Sequence, residues 1–339
     1  MTHRFPIKEI ALQTGLGTAT IDRVLNDRPN VSPQTRQRVK AAIKELEGQV
    51  GQLAARGRRM FFDFVVEAPS RFSKEVKRAA EAVLPEISGA VCRPRFLLQE
   101  IMSEDEAVSA LSRIAKRGSQ GVCLKARDLP KIRAAVDQLV DAGIPVITLV
   151  TDIPNTKRLT YVGVDNAQAG RTAAYLISRI LGDRTGSILT TTSHNEFLGE
   201  GVRAIAFRKY IAKASPNLRI VETSGGSGVP YGTSKVIDTV IHDLADIQAV
   251  YSMGGGNRAI LDALGKNCLK PNVYIAHDAD AENIELLKNG SFDFVLNHDL
   301  KKDMRNTFNT FLYFHKLSAK NGDGQMSVIE ILTPEYFAD

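Results

Sequence analysis

The sequence predicts a small all-α segment joined to a large α/β body, the body made of two similar lobes with doubly wound parallel sheets. Three observations predict it. The first 60 of 339 residues hold 11 Lys and Arg against 5 Asp and Glu, and the remainder holds 33 of each, so the whole net charge of +6 lies in that segment. A charge excess confined to one short stretch fits a polyanion-binding module attached to a neutral body. The same stretch, "IKEIALQTGLGTATIDRVLNDRPNVSPQTRQRVKAAIKEL", carries three apolar rhythms at helical spacing, which a solvated basic tail lacks. From Phe61 onward short apolar runs alternate with amphipathic stretches, the pattern of parallel strands covered by helices.

Composition closes off other classes. With 43% hydrophobic and 24% charged residues, the chain is neither disordered nor fibrous and has length for two or three cored domains. No run has the apolar length of a membrane span, and charges in "MTHRFPIKEI" interrupt what a signal peptide needs, so a cytoplasmic protein with no membrane partner is expected. Cys92, Cys123 and Cys268 are far apart and lack any C-x-x-C, which predicts three buried thiols and neither disulfide nor zinc.

Taken in order, Ile7, Ile10, Ala11 and Thr14 share one helical face, and Gly15-Leu16-Gly17 breaks that helix. A second helix follows from Thr18, with Ile21, Val24 and Leu25 inward and Thr18, Ala19, Asp22, Arg23 and Asn26 off the core face. Ser32-Pro33 is an N-cap and first-turn pair for a third helix, whose stripe is Val39, Ala42, Ile43 and Leu46. Helix, glycine turn, helix and supporting helix make a helix-turn-helix, a motif whose second helix enters the DNA major groove.

The residues "IKEIALQTGLGTATIDRVLN" and "VSPQTRQRV" resemble the DNA-binding headpiece of the LacI (lac repressor) family of bacterial regulators. The resemblance implies base reading by Thr18, Ala19 and Arg23, and phosphate contacts by Thr20, Asn26, Ser32 and Thr35. Arg is suited to guanine O6 and N7, and hydroxyls and amides near helix starts suit phosphate oxygens. The following segment, "EGQVGQLAARGRRM", departs from the family's hinge: Val50 replaces a proline, Gly51 an asparagine and Gly57 the leucine that wedges into the minor groove, while Ala54 matches a DNA-contacting position. Two readings remain open. Leu53 or Met60 replaces the wedge, backed by Arg56, Arg58 and Arg59, or the segment is a flexible basic linker.

The strands of the body are expected at "FFDFVV", "PRFLLQ", "GVCLK", "IPVITLV" and "YVGV", then at "SILTTT", "LRIVE", "AVYSM", "VYIAH" and "DFVLN". Helices are expected around 73–87, 104–117, 129–142 and 166–181, then around 200–214, 233–245, 257–265, 281–289 and 301–319. Ligands bind beyond the carboxyl ends of such strands, here in a cleft between the lobes. "YVGVDNAQAGRTAAYLI", "GGGNRAI" and "YIAHDAD" resemble the type I periplasmic sugar-binding fold of LacI-family effector domains. Within the first motif, Asp165, Asn166, Gly170 and Arg171 read as a structural cap and hinge.

Residue by residue, the resemblance places Arg71, Phe72, Arg203, Asp278, Asn297 and His298 at the ligand. Phe72 reads equally as a stacking platform or a core residue. Val150 stands where the family has a hydroxyl-binding Asp, with Asp152 as the substitute two residues on. Asn257 follows the Gly254-Gly255-Gly256 that replaces an asparagine-aspartate pair. Enzyme motifs are wanting: "GGSGVPYGTSK" lacks the spacing of a phosphate-binding loop, and neither G-x-S-x-G nor H-E-x-x-H occurs.

The expected division is 1–47 as headpiece, 48–60 as hinge or linker and 61–339 as effector-binding and dimerisation domain. One lobe spans about 61–163 plus 297–321, the other about 164–296 plus 322–339. The expected function is a non-enzymatic repressor needing no cofactor or metal. It is a homodimer on a palindromic double-stranded operator, controlled by a small sugar or polyol. The alternative is a sugar-binding protein or sugar-processing enzyme with a vestigial helix-turn-helix.

Overall fold

The computed structural model describes residues 5–55, 58–319 and 326–337, the side chains of 47–55 apart. Helices α1 (Ile7–Thr14), α2 (Thr18–Leu25) and α3 (Pro33–Ala55) form the N-terminal unit. α1 stops where Gly15 takes φ 66°, a left-handed conformation open to glycine at little cost, and the Gly15 N–H closes on the Ala11 carbonyl. The Ser32 hydroxyl starts α3 by accepting the Thr35 N–H at 3.1 Å. Ile10, Ile21, Val24, Val39 and Leu46 form the small core together with Phe5, which precedes the first helical rhythm.

α3 continues through Gly48 and Gly51 as far as Ala55, so most of the expected linker is helical backbone. A mid-helix glycine costs about 1 kcal/mol relative to alanine. Here the helix is already nucleated by packed turns, and each further residue adds a hydrogen bond. Arg56 and Gly57 lie outside the described residues, as do the side chains of Leu53 and Ala54, so the DNA-contact expectation for Ala54 falls outside them too.

The first lobe contains β1 (Arg59–Glu67), α4 (Ser70–Val83), β2 (Val91–Gln99), α5 (Glu104–Arg117), β3 (Gly121–Lys125), α6 (Pro130–Asp141), β4 (Val146–Leu149) and β5 (Thr160–Val162). Its five strands are parallel in the order β2-β1-β3-β4-β5. β1 is buried on both faces because α5 and α6 cover one and α4 covers the other with α12 (Leu300–Phe314), which returns from the far end of the chain. Phe311 of α12 stacks on Phe62 at 4.9 Å between ring centroids, and Phe308 meets Phe64 at 5.6 Å.

The second lobe contains α7 (Asn166–Leu181), β6 (Gly186–Thr192), α8 (Leu198–Ala214), β7 (Leu218–Ser224), α9 (Pro230–Asp238), β8 (Ile247–Ser252), α10 (Asn257–Lys266), β9 (Val273–His277), α11 (Ala281–Lys288), β10 (Phe294–Asn297) and β11 (Glu330–Leu332). Strand order is β11-β10-β9-β8-β6-β7. β11 is an antiparallel edge on an otherwise parallel sheet, and its three residues are too few to show a period in the sequence. Asp165 caps α7 by accepting the Gln168 N–H at 2.9 Å. α7 then passes α8 so closely at Gly170 that a methyl group there would overlap the Arg203 backbone carbonyl.

The chain crosses between lobes at Gly163–Asp165, at Asn297–Asp299 and on the way into β11. One buried carboxylate laces all three crossings. Asp303 pairs with His298 Nδ1 at 2.7 Å and accepts the Ser327 hydroxyl, while the Ser327 N–H donates to the Gly163 carbonyl at 2.8 Å. Cys92 and Cys123 are buried thiols, and burial pushes the Cys92 thiol up to about 12. Cys268 departs from expectation: it sits in a left-handed turn after α10 and is exposed, because that helix end faces solvent.

Candidate functional site

On the N-terminal unit, Ile21 and Val24 point inward, which leaves Thr18, Ala19 and Arg23 of α2 exposed together. Arg23 has neither ion pair nor hydrogen-bond partner among the described residues, so its guanidinium is free to take one. Thr20 is half-buried beside them. Asn26 donates to the Asp22 carbonyl and carboxylate at 3.0 and 2.8 Å, closing the end of α2. The Ser32 and Thr35 hydroxyls are bonded to each other at 2.8 Å at the start of α3.

In the body, the carboxyl ends of both sheets face one cleft, and two adjoining cavities lie there. The inner holds about 40 Å³ and is lined by Arg71, Lys125, Ser193, Phe197, Glu200 and Arg203 among others. The outer holds about 270 Å³ and includes Asn297 and His298 in its wall. Phe72 and Asp278 line both.

Arg71, at the start of α4, pairs with Asp280, which also caps α11 through the Glu282 and Asn283 N–H groups at 3.0 Å. That pair joins the lobes, as does the Gly199 N–H donating to the Thr151 hydroxyl at 3.1 Å. Arg203 of α8 is 3% exposed; its Nε donates to Asn166 Oδ1 at 2.7 Å and its Nη1 to the Met253 carbonyl at 3.3 Å. Asp278 follows β9 with φ 68°, a strained conformation held by Asn283 Nδ2 donating to its carbonyl at 2.8 Å. Val150, at φ 63° on the inner wall, is a more unusual occupant of that region, and its carbonyl accepts from Tyr161 and Asn166.

Two expected residues are not at the cleft. Asp152 lines neither cavity: its carboxylate is gripped by both ends of the Arg158 guanidinium and also accepts the Thr148 hydroxyl at 2.6 Å and the Ile153 N–H at 2.8 Å. Asn257 is fully buried behind the glycine turn, donating to Asn283 Oδ1 at 2.8 Å and accepting the Tyr274 hydroxyl at 3.2 Å. Asn297 is at the cleft with its amide engaged, accepting the Ala279 N–H at 3.2 Å and donating to Glu330 at 2.9 Å.

Lys125, Ser193, Phe197 and Glu200 were missed. The visible signal was in "GVCLK", where a lysine ends an apolar strand at the edge ligands occupy. Lys125 is buried, donates to the Glu67 carbonyl at 3.0 Å and lies 4.0 Å from the Phe197 ring centroid. Burial lowers its pKa, against the attraction of Glu200, Glu67 and Asp278. His277 is held well below its ordinary value by burial, then by Arg203 and His298. Burial also opposes charge on His298, but the Asp303 hydrogen bond and the carboxylates of Asp303 and Asp278 outweigh it and raise the pKa. His298 Nε2 is buried without a hydrogen-bond partner among the described residues, 3.8 Å from Asp278 Oδ1. Among the described residues no group of three His, Cys, Asp or Glu is placed to hold a metal, and no helix is long and apolar enough to cross a membrane.

Residues 64–308 match the periplasmic binding protein domain family, and residues 6–47 match the family of bacterial regulatory proteins named for lacI. Among solved structures, GanP, a glucose-galactose binding protein from Geobacillus stearothermophilus, aligns with TM-score 0.70 at 17% identity over 83% of this chain and 99% of its own. A protein provisionally assigned as a LacI transcriptional regulator from Bacteroides fragilis gives 0.70 at 17% over 82% and 98%. An Agrobacterium vitis solute binding protein bound to α-D-tagatopyranose gives 0.71 at 17% over 83% and 96%. Likeness at such identity establishes the fold alone. Among curated proteins no match is found.

Proposed function

Since the chain belongs to the periplasmic binding protein family and carries a lacI-family domain at its N-terminal end, we propose that it is a cytoplasmic, homodimeric repressor whose operator affinity is set by a sugar or polyol held between the lobes. The observation that carries this reading is the joining, in one chain, of an exposed recognition face on α2 to a cleft with polar walls. Two headpieces related by a twofold axis fit a palindromic operator. In this reading Thr18, Ala19 and Arg23 read bases, and Thr20, Asn26, Ser32 and Thr35 hold phosphates. Arg71, Phe72, Arg203, Asp278, Asn297 and His298 contact the ligand. The Arg71–Asp280 pair closes the cleft, and closure turns the first lobe about its laced crossings. β1 begins four residues after α3 ends, so that turn reaches the headpiece directly. Ligand and operator then each alter the other's affinity by the same factor.

The test is retention of fragmented genomic DNA by the purified chain, with and without a panel of sugars and polyols, beside Arg23→Ala. The expected result is one enriched palindrome, released or tightened by a panel member, with Arg23→Ala losing enrichment while keeping non-specific binding. No enrichment under any condition refutes the repressor and favours a sugar-binding protein with a vestigial headpiece.

A further inference from the structure

Lys125 and Arg203 are two buried cations on the wall of one small cavity, and neither has a carboxylate within 4.0 Å among the described residues. A buried charge without a paired counter-charge is costly, and it persists where a function needs it. Both keep donors in hand. Lys125 uses one of its three N–H bonds, on the Glu67 carbonyl, and Arg203 Nη2 has no partner among the described residues. Glu200 shares the wall, tied to Ser193 through the N–H at 2.5 Å and the hydroxyl at 2.6 Å, and its charge acts on Lys125 from beyond 4.0 Å. Arg71 is answered by Asp280. The inner cavity therefore offers unused donors.

The outer cavity shares the Asp278 carboxylate, which accepts no side-chain hydrogen bond among the described residues, and adds the unpartnered His298 Nε2. The sizes are unequal in the same sense: about 40 Å³ inside suits a group of three heavy atoms, and about 270 Å³ outside suits a sugar-sized body. Building on the reading of the cleft as the effector site, we propose that the effector is a sugar acid, its carboxylate held in the inner cavity by Lys125 and Arg203 and its hydroxylated body in the outer one by Asp278 and His298. Phe72 and Phe197 exclude water around the carboxylate, which strengthens its hydrogen bonds to the two cations.

The test is calorimetric titration of the full chain with D-galacturonate, D-glucuronate and D-gluconate, each beside its neutral counterpart, D-galactose, D-glucose and sorbitol. The expected result is one acid binding about 10- to 100-fold tighter than its counterpart, the worth of charge-assisted hydrogen bonds. In Lys125→Met, checked for folding by circular dichroism, that ratio is expected to fall toward one. A neutral member binding as tightly as its acid overturns the sugar acid and leaves the effector cleft standing. An acid preference unchanged in folded Lys125→Met overturns the assignment of the carboxylate to the inner cavity. Binding by no member, together with unaltered operator retention, overturns both this inference and the sugar-sensing reading.

Discussion

Among the described residues, His298 is the one side chain that belongs to both the outer cavity and the lacing of the crossings. Its folded pKa is raised above the ordinary value of about 6.5, so the folded chain holds this proton more tightly than the unfolded chain. That stabilisation is fully present below the unfolded value and is lost as pH rises through the folded one. Urea unfolding of the wild type and His298→Gln is expected to show the widest stability gap at mildly acid pH, narrowing as pH rises. A gap independent of pH would mean that the ring acts only by shape. His277 has the opposite sign, losing stability as pH falls below the ordinary value, but it is common to both proteins and largely cancels. The legibility of single residues followed backbone position. Motif likeness brought Arg203, on the first turns of α8, and Asp278, just past β9, to the cleft because it places whole elements. Where the chain departs from the motifs, Asp152 is drawn away by Arg158 and Asn257 is held inside by Asn283 and Tyr274. Lys125 was legible only as an oddity of composition in an apolar strand.

Elements were read more fully than residues, since the ten longer apolar runs each announced a strand and the periodic stretches between them each announced a helix. What stayed hidden depended on contacts far apart in sequence. β11 exists because β10 offers an edge, and α3 extends through two glycines because its first turns are anchored in the headpiece core. The close approach of α7 to α8 at Gly170 sets where Arg203 sits. Gly170→Ala is expected to cost about 1–3 kcal/mol through overpacking. For a chain of this size that is a fall in Tm of roughly 2–10 °C by thermal unfolding, since each kcal/mol is worth a few degrees. An unchanged Tm would show that the two helices part without cost.

At the scale of the whole molecule, the two-lobed plan was legible because strand series repeat. The lacing was not, because Asp303 lies in a helix, His298 just past a strand and Ser327 before β11, and the three meet only when both lobes are built. The same weave sets the order in which the protein can be made. β1 leaves the ribosome early, yet Phe62 and Phe64 wait for Phe308 and Phe311, almost 250 positions later, before that face of the first sheet is covered. Such distant closure slows folding and leaves apolar surface open to wrong partners. A nascent chain arrested before α12 is expected to be protease-sensitive throughout the first lobe and to bind chaperone. One arrested after α12 has emerged is expected to be resistant there. Synthesis of the lobe nearest the headpiece is thus completed only once α12 is made, so a chain terminated before it carries a headpiece without a finished lobe to control it.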